Sequence, residues 1–371
     1  MASLRSNGSG SKPVTLSPMP SDPSPRLRGL GEPPTSRRGR LFPGPMNDPR
    51  PPRLLVTLHP RAPVDEAIAR QLPDLPWVYA ERSTSQEWGS VEAILTGTIE
   101  RELGSYDRSS TPHLRFVQRI FTGLDGFPFG WFGESVRIAG NIGAYAPFVA
   151  EHAVALALAA ARDLRGAHEK VRAGQLRPPP EQRLFLGRTA VILGYGEIGR
   201  AIAARLAGFG MQVFGVNRGG RMAPGVAAMY PADATAEALA RADLIFEARP
   251  LTRATRGSLN AELLAAMRPN AVFVNVGRGA TVDEEALFHH LKEHPEFRAA
   301  LDVWWDEDFA GGRLGTRFPF AELPNFLGTP HTAGLGPGVE PHILAKALEN
   351  LDRFFRGEEP QYVTDPREYG P

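Results

Sequence analysis

Four short stretches hold residue types that can bind and transform a small ligand. They are the glycines Gly194, Gly196 and Gly199 in VILGYGEIGRAI, Arg278 in NVGRGATVDEEAL, Glu307 in ALDVWWDED, and His331 in LPNFLGTPHTAG. The glycines form G-x-G-x-x-G between a strand pattern (AVIL) and a helix pattern (RAIAARLAGFG), the context a dinucleotide site requires. Gly194 permits a tight turn, Gly196 removes a side chain that would meet a pyrophosphate, and Gly199 lets the helix sit against the strand. The helix start then turns unpaired N–H groups and a positive dipole end toward the phosphates. Tyr195, Gly196, Glu197 and Ile198 line that turn.

The next strand decides which dinucleotide. A carboxylate near its end ordinarily accepts from the ribose 2′-OH. Here the strand ends at Asn217, followed by Arg218 and Arg221. Asparagine does not repel a phosphate, and two guanidiniums can pair with one. NADP is therefore expected in preference to NAD.

The remaining residues sit at strand ends. Arg278 follows one strand, Asp302 falls within another with Glu307 five residues on, and His331 ends a third. Ligands of a doubly wound sheet bind outside the carboxyl ends of its strands, so these side chains can meet beside the cofactor. Asp302 is read as fixing local structure or supporting Arg278, and it is counted with the cofactor-lining residues.

The elements that must position these groups follow an α/β alternation. Strands are expected in RLLVTLH from Arg53, VEAILTGT (Val91–Thr98), LRFVQRIFTGLDG (Leu114–Gly126) and SVRIAGN (Ser135–Asn141), with PVDEAIARQL as a helix. One long helix is expected from near Pro147 through AHEKVRAG, stopped by PPP at 178–180. MQVFGVN, ADLIFEA, AVFVNVG and AALDVWW then alternate with helices. In TVDEEALFHHLKEH, Thr281 and Glu284 match a capping box. A last strand is expected to end at His331, and PHILAKALENLDRFFRG closes the chain as an amphipathic helix.

Bulk properties exclude other chemistries. The net charge is +1, which gives no global field for nucleic acid or an acidic membrane. There is no cysteine, so disulfides, thiolate catalysis and Cys-ligated metal are excluded, and no metal site is expected. No apolar run reaches the length of a membrane span. In residues 1–50, Gly, Pro and Ser make up 24 positions, and basic residues outnumber acidic ones eight to three. Such a segment cannot bury enough apolar area to offset its ordering entropy, so 1–52 is expected to be a disordered tail. A targeting or docking segment, or a true start at Met46, are the other readings.

Taken together, GYGEIG, NVGRGATVDEEAL, the Asp302-to-Glu307 spacing and TPH resemble the D-isomer-specific 2-hydroxyacid dehydrogenases, in order from about Leu114 to Gly357. VQRIFTGLDGF resembles that family's substrate loop, and FVAEHAVALALAAARDL its interdomain helix. The resemblance implies a Rossmann-type doubly wound parallel sheet domain over 152–331. A smaller flavodoxin-like α/β substrate domain would be built from 53–151 and 332–371. It implies that Arg278 binds the substrate carboxylate and C2 oxygen, that His331 is the acid/base, and that Glu307 hydrogen-bonds it. Gly97 and the backbone of Thr122, Gly123 and Leu124 would hold the substrate, while Pro250, Thr252, Val276 and Gly277 would line the cofactor. The roles suit the reaction. Reducing a 2-oxo acid needs a proton for the developing alkoxide, which histidine can give. A guanidinium binds a carboxylate and polarises a carbonyl at once.

DVWWDED departs from the family's usual DVFExEP run, so Asp306 or Asp308 competes with Glu307 for its role, and the loop that follows is long. The large aromatic residues of FGWFG (Phe129–Gly133) either narrow the pocket or pack. The expected activity is NADP- or NAD-dependent interconversion of a D-2-hydroxy acid and its 2-oxo acid, of the glyoxylate or hydroxypyruvate type, by a cytoplasmic homodimer. The alternative is a dinucleotide-sensing corepressor of the same fold.

Overall fold

The computed structural model describes residues 50–176 and 182–369. Residues 1–49 of the expected tail, and the PPP expected to stop a helix, lie outside the described residues. No helix among the described residues is long and apolar enough to cross a membrane.

The first half of the chain builds β1 (Leu54–Val56), α1 (Ala62–Gln71), β2 (Trp77–Tyr79), β3 (Ala93–Thr96), α2 (Ile99–Leu103), β4 (Phe116–Arg119) and β5 (Arg137–Ala139). These strands form a parallel sheet in the order β2-β1-β3-β4-β5, the flavodoxin arrangement. After α3 (Ala146–Ala161) and α4 (Leu164–Arg172) come β6 (Thr189–Leu193), α5 (Glu197–Ala207), β7 (Gln212–Asn217), β8 (Ala228–Pro231), α6 (Thr235–Leu239), β9 (Leu244–Glu247), α7 (Ala261–Ala265), β10 (Val272–Asn275), α8 (Glu284–Glu293) and β11 (Arg298–Leu301). A hairpin of β12 (Asp306–Asp308) and β13 (Arg313–Gly315) precedes β14 (Phe326–Gly328) and α9 (Val339–Phe355). The second sheet runs β14-β11-β10-β9-β6-β7-β8. Its order reverses between β6 and β9, the Rossmann switch point where a ligand crevice opens.

The strands are short continuous apolar runs because both faces are covered. On one face of the second sheet, Ala190, Ile192, Phe246 and Val274 pack with Ala153, Ala157, Ile202 and Leu206 of α3 and α5. On the other, Val191, Ile245 and Phe273 pack with Leu239, Leu264 and Leu287. Small residues on α3 let it approach both sheet and α5 closely. The closing helix α9 returns to the first sheet, placing Leu344, Leu348 and Leu351 against Leu54, Val56 and Phe116.

Several local expectations are corrected. The long helix breaks at Asp163, whose backbone is left-handed (φ 46°) and whose carboxylate accepts from Gly166 N–H at 3.1 Å to cap a new helix. Thr281 and Glu284 do not form a capping box. Asp283 is the N-cap and accepts from Ala286 N–H at 3.0 Å, Thr281 Oγ1 donates to the Arg278 carbonyl, and Glu284 accepts from Thr316 and Arg317. Asp302 lies just past β11 rather than within it, and β14 stops at Gly328, short of His331. The edge strands β2 and β8 carried no clear period, and the long loop after Asp302 contains the β12–β13 hairpin.

Candidate active site

β10, β11 and β14 are parallel neighbours, so the segments beyond their carboxyl ends lie side by side. Asp302 sits at the end of β11, 1% exposed. Its oxygens accept from Thr329 Oγ1 (2.6 Å), Thr332 N–H (2.9 Å) and Ala333 N–H (2.9 Å), and His152 Nε2 of α3 lies 3.4 Å away. Burial alone would raise the Asp302 carboxyl, but these donors outweigh it and hold it below the usual carboxylate range. None of Asp302's hydrogen bonds among the described residues goes to Arg278. Its function is to tie down the turn that carries His331.

That turn puts His331 in the left-handed region, φ 54°, a conformation that costs a non-glycine residue free energy and needs surrounding bonds to persist. Its Nδ1 lies 2.9 Å from both oxygens of Glu307. With the carboxylate accepting, Nδ1 carries the hydrogen and Nε2 is left for a ligand. Glu307, on β12, also accepts from Trp304 N–H at 2.9 Å. Asp306 and Asp308 take no part in this pairing; Asp308 accepts from Gly311 N–H and pairs with Arg313 across the hairpin. Phe309, 62% exposed at the hairpin tip, sets its ring edge-on 5.2 Å from the His331 imidazole.

Arg278 lies just beyond β10 and packs on the loop after β4. A β-carbon at Gly123 would collide with an Arg278 terminal nitrogen, so only glycine permits this approach. Arg278 Nε donates to Asp125 (3.1 and 3.2 Å), and Nη1 donates to the Gly277 carbonyl (2.8 Å). The backbone N–H groups of Thr122, Gly123 and Leu124 have no acceptor among the described residues, which leaves three donors beside a guanidinium. Gly279 packs against the backbone of Trp304 and Trp305, joining the Arg278 segment to the Glu307–His331 pair.

A second arginine braces the loop after β4. Arg119, at the end of β4, donates to the carbonyls of Gly97 (Nε, 2.9 Å) and Gly123, and burial lowers its guanidinium against the pull of Asp125. Gly97 N–H and Thr98 N–H are taken by Glu102 (3.1 and 2.9 Å), and the side chains of Glu102, Leu58 and Phe121 crowd the Gly97 α-carbon, so the sequence-based expectation that Gly97 holds a ligand gains no free donor here. Phe132 of the aromatic run is buried, and its ring stacks 5.7 Å from that of buried Phe127, which precedes the run. Trp304 is buried too, and it donates to the Thr329 carbonyl at 3.0 Å.

The glycine turn fits a dinucleotide. Gly194 is left-handed (φ 89°), and its missing side chain lets Ala248 and Arg249 pack on it. A β-carbon at Gly196 would meet nothing within 4 Å, so that side is open space. Gly196 caps α5, whose first N–H groups lack intrahelical acceptors. Ile198 packs inward, and the Tyr195 hydroxyl donates to the Pro224 carbonyl at 2.9 Å. Pro250 and Thr252 form a turn closed by Thr255 Oγ1, and Val276 and Gly277 are held by the Glu247 carbonyl and Asn275 Oδ1. Asn217 closes the loop after β7 on itself, accepting from Gly219 and Arg221 N–H, while the Arg218 guanidinium projects from it, 85% exposed.

Sequence reading missed Asp125, Arg119 and the buried pair Glu247–Arg249 behind Gly194. Asp125 lay two residues past Gly123 in a loop already singled out. Glu247 and Arg249 were visible as two charges breaking the apolar run LIFEARP. Nothing in the spacing pointed to Arg119.

Comparison with known proteins places the chain's family and fold. The profile described as "D-isomer specific 2-hydroxyacid dehydrogenase, NAD binding domain" matches residues 154–333. The chain is 32% identical over 286 residues to a protein named glyoxylate reductase from Pyrococcus furiosus, covering 73% of this chain and 81% of that one. It is 30% identical over 246 residues to one named hydroxypyruvate reductase from Thermotoga maritima, covering 66% and 78%. Its fold is similar to a D-isomer specific 2-hydroxyacid dehydrogenase from Xanthobacter autotrophicus Py2 in complex with NADPH and MES, with TM-score 0.69, 25% identity and coverage of 86% and 99%.

Proposed function

Because the chain belongs to the D-isomer-specific 2-hydroxyacid dehydrogenase family, whose members are NAD(P)-dependent oxidoreductases of 2-oxo acids, we propose that it reduces a small 2-oxo acid of the glyoxylate or hydroxypyruvate type with NADPH. The observation that carries this reading is the arrangement of a His331–Glu307 pair and an Arg278 guanidinium set against three unpaired N–H groups.

Each group has a separate task. The N–H groups of Thr122–Leu124 receive the substrate carboxylate, an anion they can bind without a counter-charge of their own. Arg278, aimed by Asp125, binds the same carboxylate and polarises the C2 carbonyl. A nicotinamide cofactor held at the glycine turn would supply the hydride that C2 accepts. His331 Nε2 gives a proton to the C2 oxygen, and Glu307, accepting at Nδ1, orients the ring. In the oxidative direction the same atoms take the proton back. The names of the relatives favour turnover over dinucleotide sensing.

Arg218 and Arg221 beside Asn217 support NADP(H) over NAD(H). We read 152–331 as the nucleotide domain and 53–151 with 332–371 as the substrate domain, the cleft between them closing over the hydride path. A homodimer belongs to the same reading. It is supported by apolar side chains left exposed on α4, Leu164 and Val171, and ahead of β6, Leu184 and Leu186. A cytoplasmic setting fits the use of a soluble dinucleotide. The test is a panel of 2-oxo acids run with NADH and with NADPH, followed by the absorbance of the reduced nicotinamide. Cofactor binding without turnover of any acid would sink the reading.

A further inference from the structure

The chain does not end at α9. Its last described residues run back as a strap from the first sheet to the cofactor side of the second. Asn350 grips Gln361 through both side-chain atoms (3.0 and 2.7 Å). Val363 bridges Ala139 beside β5, and Thr364 N–H donates to the Ile138 carbonyl at 2.9 Å. Asp365 then caps a short 3-10 turn, Pro366–Glu368, by accepting from Arg367 N–H at 3.0 Å.

Three contacts tie this strap to the nucleotide-binding elements. The Tyr362 hydroxyl donates to Glu197 on the first turn of α5 at 3.3 Å. Arg253 N–H, in the loop beyond Thr252, donates to the Glu368 carbonyl at 3.0 Å. The Glu368 carboxylate itself pairs with Arg218 at 2.9 Å. Beyond it Tyr369 sets its ring 5.8 Å from Phe129 near the substrate loop. The backbone bond from Arg253 fixes where Glu368 sits, so its carboxylate is held at the mouth of the loop after β7 rather than sampling solvent freely.

The sequence places no carboxylate at the end of β7; the strap brings one there from the far end of the chain. We propose that Glu368 is a specificity-determining residue for the dinucleotide, competing with a 2′-phosphate for the Arg218 guanidinium. A nucleotide that carries the phosphate must displace Glu368 or bind against its charge; a nucleotide with a free 2′-OH meets no such opposition. Discrimination is a difference between two affinities, and a like charge set against one ligand narrows it. Glu368 thus moderates a preference that Arg218 and Arg221 create, and the two nucleotides bind more evenly than the arginines alone would give. The inference rests on the reading of Arg218 as a partner of the 2′-phosphate.

Equilibrium binding tests it without turnover. Dissociation constants for NADP+, 2′,5′-ADP, NAD+ and 5′-AMP are measured by titration calorimetry on the full chain, its E368Q and R218A variants, and the double variant. E368Q is expected to tighten NADP+ and 2′,5′-ADP by about three- to fivefold, the range of an exposed charge pair, and to leave NAD+ and 5′-AMP within about 1.5-fold. R218A weakens the two ligands that carry a 2′-phosphate, and in that background E368Q has no further effect. If R218A weakens NADP+ while E368Q changes it less than about twofold, or tightens all four ligands alike, Glu368 is not a competitor and the inference fails alone. If R218A leaves NADP+ unchanged, the 2′-phosphate does not use Arg218, and both the inference and that reading fall.

Discussion

Two carboxylates five positions apart, Asp302 and Glu307, both act on the histidine turn, and they belong to opposite kinds of structure. Asp302 ends a core strand, is fully buried and spends its oxygens on Thr329, Thr332 and Ala333. Glu307 sits on a hairpin whose tip is open to solvent and spends its oxygens on Trp304 N–H and the His331 ring. The first locates His331 and the second orients it. Position is thus set by a buried knot of hydrogen bonds, while orientation is left to a solvent-facing hairpin.

Replacing His331 itself gives the largest effect. His331→Ala should lower kcat by roughly 10²–10⁴-fold while the affinity for NADP+ stays near normal; intact kcat would remove the premise that both carboxylates serve. Asp302→Asn comes next and should act on stability. It replaces an acceptor by a group that faces N–H donors with its own N–H₂, at a cost of about 1–3 kcal/mol, visible as a lower Tm and denaturant midpoint. Glu307→Gln should do the reverse, lowering kcat by about tenfold with a Tm close to that of the parent. If Glu307→Gln lowers Tm as much as Asp302→Asn, the division of labour is wrong. Phe309→Ala should have the smallest effect, within a few-fold on kcat, read in the ratio of kcat/KM for an aromatic 2-oxo acid to that for glyoxylate. An unchanged ratio would show that the tip merely covers the imidazole.

Acid stability sharpens the contrast further. The Asp302 carboxyl is depressed in the folded protein, so its contribution is present above the ordinary carboxylate value of 3.8 and is lost as pH falls through the lower folded value. The stability gap between parent and Asp302→Asn should therefore hold from neutrality to about pH 4 and close below it. His290 works in a different window. Burial, with His294 nearby, pushes it down from 6.5 to about 4, so the folded state resists a proton that the unfolded chain accepts. Stability should decline between those values in both proteins, and His290→Phe should flatten that decline in urea midpoints taken across the range.

Legibility differed with the kind of information each residue carries. The glycine turn could be read because its constraint is local: strand, three glycines and helix are contiguous, and each glycine has a backbone reason to be there. Arg278 and His331 were found because each adjoins a strand pattern, and Glu307 because it follows one closely. Asp125 and Arg119 were missed because their partners, the Arg278 guanidinium and the Gly97 carbonyl, come from other loops. The helix break at Asp163 was missed because DLRG reads as helix until the aspartate's left-handed backbone is known.

The sequence by itself determined the alternation of strand and helix, the phosphate-binding turn and the identity of the ionisable groups, since period, glycine spacing and residue type are properties of neighbours along the chain. Only the tertiary structure decided that His331 sits three residues beyond its strand in a strained turn, that Asp302 holds that turn rather than Arg278, and that a C-terminal carboxylate rests on Arg218. Those choices depend on which strand ends the parallel sheets bring side by side and on where the chain returns after α9, and contacts between segments so far apart leave no local period to read.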